Sequence, residues 1–373
     1  MQPQEAVAFG DLAGEGATSI AAQARDVHWA IADRAFVTLA ALGVPVAPVR
    51  VTHDAIARSS YAASGALAGV VVRAIGVAAA LTRPPDAPAL GTSPRGRVVL
   101  GVLGGVWGDR LADRGSVLAT APSLIVDDRR PPTRRIAVFV HGLGETELAW
   151  RRPGYGEALA AGHGITPVYA RYNSGLAIAE AGAVLAEALA AMVAGWPVAV
   201  DEITLVGHSM GGLVVRAACH HGRGEAWCAR VRRTVGLSTP HEGAPLARGA
   251  AGAERALSAL PETRPLAATL RARSAGIRDL EDGLRLPWPA GVDHLLVSAS
   301  VARDPRAPAG RVLGDLLVHR QSAWGQRTAT ERLQLHPDRY RHLGGATHFD
   351  LLGHPAVVEL LGDWIAAGVA QRP

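Results

Sequence analysis

The stretch EITLVGHSMGGLVVRAA, residues 202–218, decides how this chain is read. An apolar run ends in Gly207-His208-Ser209-Met210-Gly211, and a second apolar run follows at helical spacing. Glycine makes up 43 of the 373 residues, so a G-x-S-x-G match alone is weak. Its context carries the weight. A buried strand, a sharp turn and a helix would lift Ser209 to the edge of a sheet, with small neighbours making room for the turn. Ser209 is therefore the candidate nucleophile, and the Met210 N–H at the helix start is a candidate oxyanion donor.

The same alternation extends in both directions. Short continuous apolar runs at 136–140, 165–172, 203–206 and 231–237 predict strands, and 294–298 and 339–343 predict two more. Helical patterns over 155–161, 176–194, 210–220 and 356–370 fall between and after them. Strands and helices alternating in this way predict an α/β fold, with a mostly parallel central sheet covered by helices on both faces. Residues 1–125 read instead as a mainly helical extension, with helical spacing over 21–42 and 61–82 and a further apolar segment over 98–111. The expected division is an extension at 1–125 and a catalytic domain at 126–373. An alanine-, arginine- and proline-rich insertion near 244–290 falls where a cap or lid would sit.

A serine hydroxyl needs a base and an orienting acid, which follow it in the order Ser, Asp/Glu, His in such a fold. Asp315, in GDLLVHRQSA (314–323), follows a predicted strand and is the candidate acid, with Asp350 and Asp282 as alternatives. His348 is the candidate base, ahead of His336, His342 and His354, because Gly344-Gly345 frees the loop before it. The loop His141-Gly142-Leu143-Gly144 ends the first buried strand and supplies Leu143 as the second oxyanion donor. His141, Trp150 and Tyr172 are candidate substrate contacts. The pair His241 and Glu242 reads as part of a turn, not as metal ligands. This chemistry requires neither a metal nor an organic cofactor.

Composition excludes several classes. The chain is 49% hydrophobic and 19% charged, enough for a substantial core. All 38 basic residues are arginine, but they are scattered, and aromatics make up only 5%; nucleic acid is not expected as a partner. Cys219 and Cys228 lack C-x-x-C spacing. The start MQPQEAVAFGDLAGEG lacks a basic and then apolar leader pattern, so a cytoplasmic location is expected. Residues 66–82 are apolar but short for a span and carry Arg73, which predicts a buried or interfacial helix and peripheral membrane contact through the N-terminal helices.

Taken in order, VFVHGLGETELAW, RYNSGLAIAEAG, LVGHSMGGLVVRAA, LSTPHEGAPLA, GDLLVHRQSA and THFDLLGHP resemble serine lipases and esterases of the α/β-hydrolase superfamily, in the lipase-like branch that includes GPI inositol-deacylase relatives. The resemblance covers roughly residues 136–370. It implies Ser209 as nucleophile, Asp315 as acid, His348 as base, and Leu143 and Met210 as oxyanion donors. The family usually carries glycine after the acid, where this chain has Leu316. Residues 1–125 resemble the helical N-terminal extension of some bacterial relatives. The implied activity is hydrolysis of a small-molecule ester or lipid. The alternatives are an acyltransferase or thioesterase with the same residues, or a non-catalytic membrane- or partner-binding scaffold.

Overall fold

A computed structural model describes residues 1–127, 129–151, 154–304, 313–325 and 335–367. Its centre is a seven-stranded sheet in the order β1-β3-β2-β4-β5-β6-β7. The strands are β1 (Ser123–Val126), β2 (Arg135–Val140), β3 (Thr166–Arg171), β4 (Glu202–His208), β5 (Val231–Leu237), β6 (Asp293–Ser300) and β7 (Tyr340–Gly344). All neighbours pair in parallel except β1 with β3, which is antiparallel. This is the α/β architecture expected from the alternating pattern. The helix expected over 356–370 is observed as Pro355–Ala367, and its last three expected residues lie outside the described ones.

The edge strand β1 is absent from the sequence reading for a physical reason. Its four residues, SLIV, are only half-buried, so they lack the long apolar run that marks a central strand. The inner strands do show it. On β2, Ile136, Val138 and Val140 pack to one face with α6 (Ile178–Ala194) and α7 (Met210–His221). Ala137 and Phe139 pack to the other face with Leu159 of α5 (Tyr155–His163), which follows the short α4 (Leu148–Arg151), and with Val357 and Leu361 of the C-terminal helix. Alternate side chains of one strand thus feed two cores.

The order β3-β2-β4 places a winding reversal beside β2. The chain leaves β2 for β3 on one side, then crosses back to β4 on the other. At such a switch point the loops diverge and leave a crevice at the carboxyl ends of the strands. The register Val140↔Gly207 sets His141 and His208 side by side at that edge.

The chain forms two compact units. One comprises residues 1–96, 115–118 and 249–273; the other comprises 97–114, 119–248 and 274–373. The first contains two long helices, α1 (Pro3–Ala41) and α2 (Ala47–Leu81). Helix α1 starts eighteen residues before the apolar pattern at Ala21, because a capping box formed by Gln2 and Glu5 starts it; Glu5 also accepts the Leu90 N–H at 2.9 Å. The third helix of the segment read as an extension, α3 (Pro94–Asp113), falls almost wholly in the unit that holds the sheet. The region near 244–290 contains α8 (Pro245–Ser258), α9 (Arg264–Arg271) and α10 (Ala275–Asp279).

Candidate active site

Ser209 stands between β4 and α7 with φ 52° and ψ −128°. That backbone is strained for a residue with a side chain, and the surroundings hold it there. The Ser209 N–H donates to the Leu237 carbonyl at 2.8 Å, and the Ser209 carbonyl accepts from Gly212 N–H at 3.1 Å. Both flanking glycines are required sterically. A Cβ on Gly207 would lie 2.4 Å from the Gly212 Cα, and one on Gly211 would lie 2.3 Å from the Val140 carbonyl oxygen.

The helix, strand and turn around Ser209 coincide with the sheet's switch point. The chain has an α/β-hydrolase fold. A profile of the PGAP1-like alpha/beta domain family matches residues 185–254, which include this elbow. The hydrolase fold is similar to solved structures. Against the propeptide form of the Bacillus licheniformis lipase BlEst2 the identity is 20% and the TM-score 0.47, covering 64% of this chain and 53% of that one. Against the mature form of the same lipase the identity is 19% and the TM-score 0.44, covering 64% of this chain and 97% of that one. An alpha/beta hydrolase fold protein from Chitinophaga pinensis matches at 11% identity and TM-score 0.43, over 66% of this chain and 94% of that one. No curated protein matches the sequence.

Asp315 and His348 meet within the hydrolase fold, on loops that follow β6 and β7. His348 Nδ1 lies 2.8 Å from Asp315 Oδ2, and both side chains are buried. The other carboxylate oxygen, Oδ1, accepts the N–H groups of Leu317 at 3.0 Å and Val318 at 2.7 Å. Burial pushes the Asp315 carboxyl up, but the hydrogen bond and charge of His348 outweigh it, so Asp315 sits below the usual carboxylate range. Burial lowers the His348 imidazole. Asp315 raises it again, the charge of His208 opposes that, and the net position is below the ordinary value. At neutral pH His348 is thus a neutral imidazole beside an ionised carboxylate. Leu316 takes φ +86°, the left-handed conformation that glycine would occupy without steric strain. The departure at this position is accommodated by strain in one exposed residue, not by displacement of Asp315.

A second acid–imidazole pair, a buried His208 with a half-buried Glu145, braces the site, and the sequence reading did not include it. His208, the variable residue before Ser209, has Nδ1 3.2 Å from Glu145 Oε2 and Nε2 3.2 Å from the His348 carbonyl oxygen. Glu145 Oε2 also accepts the Gly142 N–H at 2.7 Å. Burial opposes ionisation of Glu145, but His208 and the Gly142 N–H overcome it and hold the carboxyl at about 2. Burial likewise opposes charge on His208, and Glu145 raises it above the ordinary imidazole value.

Leu143 lies between two engaged amides. The Gly142 N–H goes to Glu145, and the Gly144 N–H donates to Ser174 Oγ at 2.9 Å. Met210 begins α7 directly after Ser209 and is buried. His141, Trp150 and Tyr172 are buried as well. The Tyr172 hydroxyl donates to the His141 carbonyl at 2.7 Å, their rings stack at 4.4 Å, and Trp150 packs on Phe139 at 5.1 Å. Asp350 is engaged locally: its Oδ2 accepts from the N–H and the hydroxyl of Thr347 at 2.7 Å each. His354 Nδ1 accepts the Ala356 N–H at 3.2 Å, at the start of the C-terminal helix.

Helix α3 supports these loops from outside the sheet. Gly101, Gly105 and Gly108 line one of its faces, and a Cβ on Gly105 would fall 2.8 Å from the Gly144 Cα. Asn173 Nδ2 donates to the Gly108 carbonyl at 2.8 Å. Arg97 of α3 donates to Glu147 at 2.6 Å, and Arg171 donates to the same buried carboxylate at 2.7 and 2.8 Å. The signal was present in the sequence as glycines at 101, 104, 105 and 108, the i, i+3, i+4, i+7 spacing of one helix face. Among the described residues, no group of three or more His, Cys, Asp or Glu side chains is placed to hold a metal. A separate cleft of about 510 Å³ lies at the opposite, amino-terminal edge of the sheet, lined by Asp127, Thr133, Glu157 and Pro167 among others.

Proposed function

We propose that the protein hydrolyses carboxylic esters, of small molecules or lipids, through an acyl-enzyme on Ser209. The observation that carries this reading is the buried contact of 2.8 Å between His348 Nδ1 and Asp315 Oδ2, at the sheet edge where Ser209 occupies its elbow. With Nδ1–H held by the carboxylate, His348 Nε2 carries the lone pair and accepts the Ser209 proton as Oγ bonds to the acyl carbon. The carbonyl electron pair moves onto oxygen, where the Met210 and Leu143 N–H groups receive it. The tetrahedral intermediate collapses, the bond to the alcohol breaks, and the His348 proton leaves with the alkoxide. Water then attacks the acyl-enzyme, with His348 taking its proton, and the carboxylate departs as Ser209 recovers its hydrogen.

Tyr172, His141 and Trp150 act in this reading behind the oxyanion loop, holding His141 and its neighbours in place, since all three are buried. A panel of p-nitrophenyl esters from short to long acyl chains tests the function and sets the preferred length. Ser209→Ala should lower kcat by up to ~10⁶-fold on the best ester. An unchanged rate in that variant overturns the reading.

A further inference from the structure

Helix α2 buries only small residues: Ala57, Gly65, Gly69, Gly76 and Ala80. Its contacts with α1 are correspondingly close. A Cβ on Gly76 would lie 2.7 Å from the Gly10 Cα, and one on Gly65 would lie 3.0 Å from the Ala21 Cβ. The large apolar side chains point the other way. At about 100° per residue, Leu67, Val70, Val71, Ile75, Val77 and Leu81 occupy the half of the helix opposite Gly65, Gly69 and Gly76. All six are exposed, from 45% at Val77 to 83% at Leu81. An 18-residue window of α2 reaches a mean hydropathy of 1.8 with only 17% of it buried.

This inverts the arrangement of a water-soluble helical hairpin, which puts its large apolar residues between the helices. Close packing through small residues, with aliphatic side chains turned outward, is the economy of helices in contact with lipid, where nothing is gained by hiding leucine from the solvent. Charge is distributed to match. Between Arg58 and Arg83, residue 73 is the single charged position. Arg73 lies off the apolar half and turns to α1, its Nε 3.8 Å from Asp11 Oδ1. Arg50 and Arg58 also lie outside that half by the same angular count.

We infer that α2 docks on a lipid bilayer, with the face formed by Leu67, Val70, Val71 and Ile75 set among the acyl chains and the helix lying in the plane of the surface. The exposed acids of α1 decide between lying and spanning. Asp11 and Glu15 run beside this part of α2 and would be carried into hydrocarbon by a spanning hairpin, whereas a helix lying at the surface leaves them in water. The inference does not depend on the ester-hydrolase reading.

The test is flotation of the purified full chain with vesicles of phosphatidylcholine, and of phosphatidylcholine containing phosphatidylglycerol, in parallel with light scattering in the absence of lipid. The native chain should float with vesicles. The variant carrying Leu67→Gln, Val71→Gln and Ile75→Gln should partition more than about tenfold less, with its helical circular dichroism retained because all three side chains are exposed. Val198→Gln, an exposed valine elsewhere, should float like the native chain. Failure of the native chain to float with either vesicle overturns the inference, as does equal flotation of the triple variant. So does a concentration-dependent dimer abolished by the same three changes, because a second copy would then cover the face.

Discussion

Asp315 and His348 are joined twice. The His348 Nδ1 meets Asp315 Oδ2 at 2.8 Å, and the His348 backbone N–H donates to the Asp315 carbonyl at 3.0 Å. The two loops after β6 and β7 are thus tied as backbones as well as through their side chains. The His348 backbone is thus positioned by a contact that does not depend on the carboxylate.

From this follows the expected effect of Asp315→Asn. The backbone tie remains, so the loops should stay in place, but the amide cannot hold the productive imidazole tautomer or support its positive form. The kcat should drop on the order of 10⁴-fold with little change in Tm. Loss of activity accompanied by global unfolding, or no loss at all, contradicts the assigned role.

Leu316 sets a prediction of opposite sign. Its left-handed backbone, φ +86°, costs a side-chain-bearing residue about 1–2 kcal/mol, while glycine adds about 0.5–1 kcal/mol of chain entropy. Leu316→Gly should therefore be neutral to modestly stabilising, by up to about 1.5 kcal/mol. Leu316→Ala, which keeps the strain, should give no gain. Denaturant unfolding of the three proteins checks this, and stabilisation by alanine equal to that by glycine would refute the strain account.

The Glu145–His208 pair should appear in the pH dependence of stability. Glu145 is held at about 2, below its usual 4.5, so its contribution is full above 4.5 and is lost as pH falls towards 2. His208 is raised above 6.5, so its contribution is full below 6.5 and is lost as pH rises through the folded value. The pair stabilises most between these limits. Glu145→Gln strands a buried imidazole and should cost about 3–5 kcal/mol near pH 6, with a smaller cost at both extremes. Urea titrations at pH 3, 6 and 9 measure it, and a cost independent of pH would show that the pair is not ionised.

Gly105→Val tests whether α3 is part of the catalytic unit. The new side chain would meet the Gly144 backbone at under 3 Å and displace the loop carrying Leu143. A shift of about 1 Å there should lower kcat/KM on the order of 10²-fold while the fold persists. Unchanged kinetics would make α3 a bystander.

The central strands and the Ser209 elbow were legible because burial on both faces leaves continuous apolar runs, and because a strained turn needs glycine at Gly207 and Gly211. The meeting of Asp315 with His348 could be anticipated from their order and their loops; the roles assigned to them are a proposal. What was hidden has a common cause. Glu145 and His208 work as a pair only because the β2–β4 register brings residues 145 and 208 together, and spacing along the chain does not reveal that. The role of α3 was hidden because spacing along the chain shows a glycine-lined helix face but not the Gly144 loop that it fits against. β1 was hidden by its shortness and half-burial.

The central claim is that Ser209 is an activated nucleophile. Intact-mass analysis after treatment with a fluorophosphonate probe tests it most directly, with peptide mapping to locate the adduct. The account predicts one stoichiometric adduct, on Ser209, that vanishes in Ser209→Ala and forms far more slowly in His348→Ala. An adduct elsewhere, or none on a folded native chain, would contradict it.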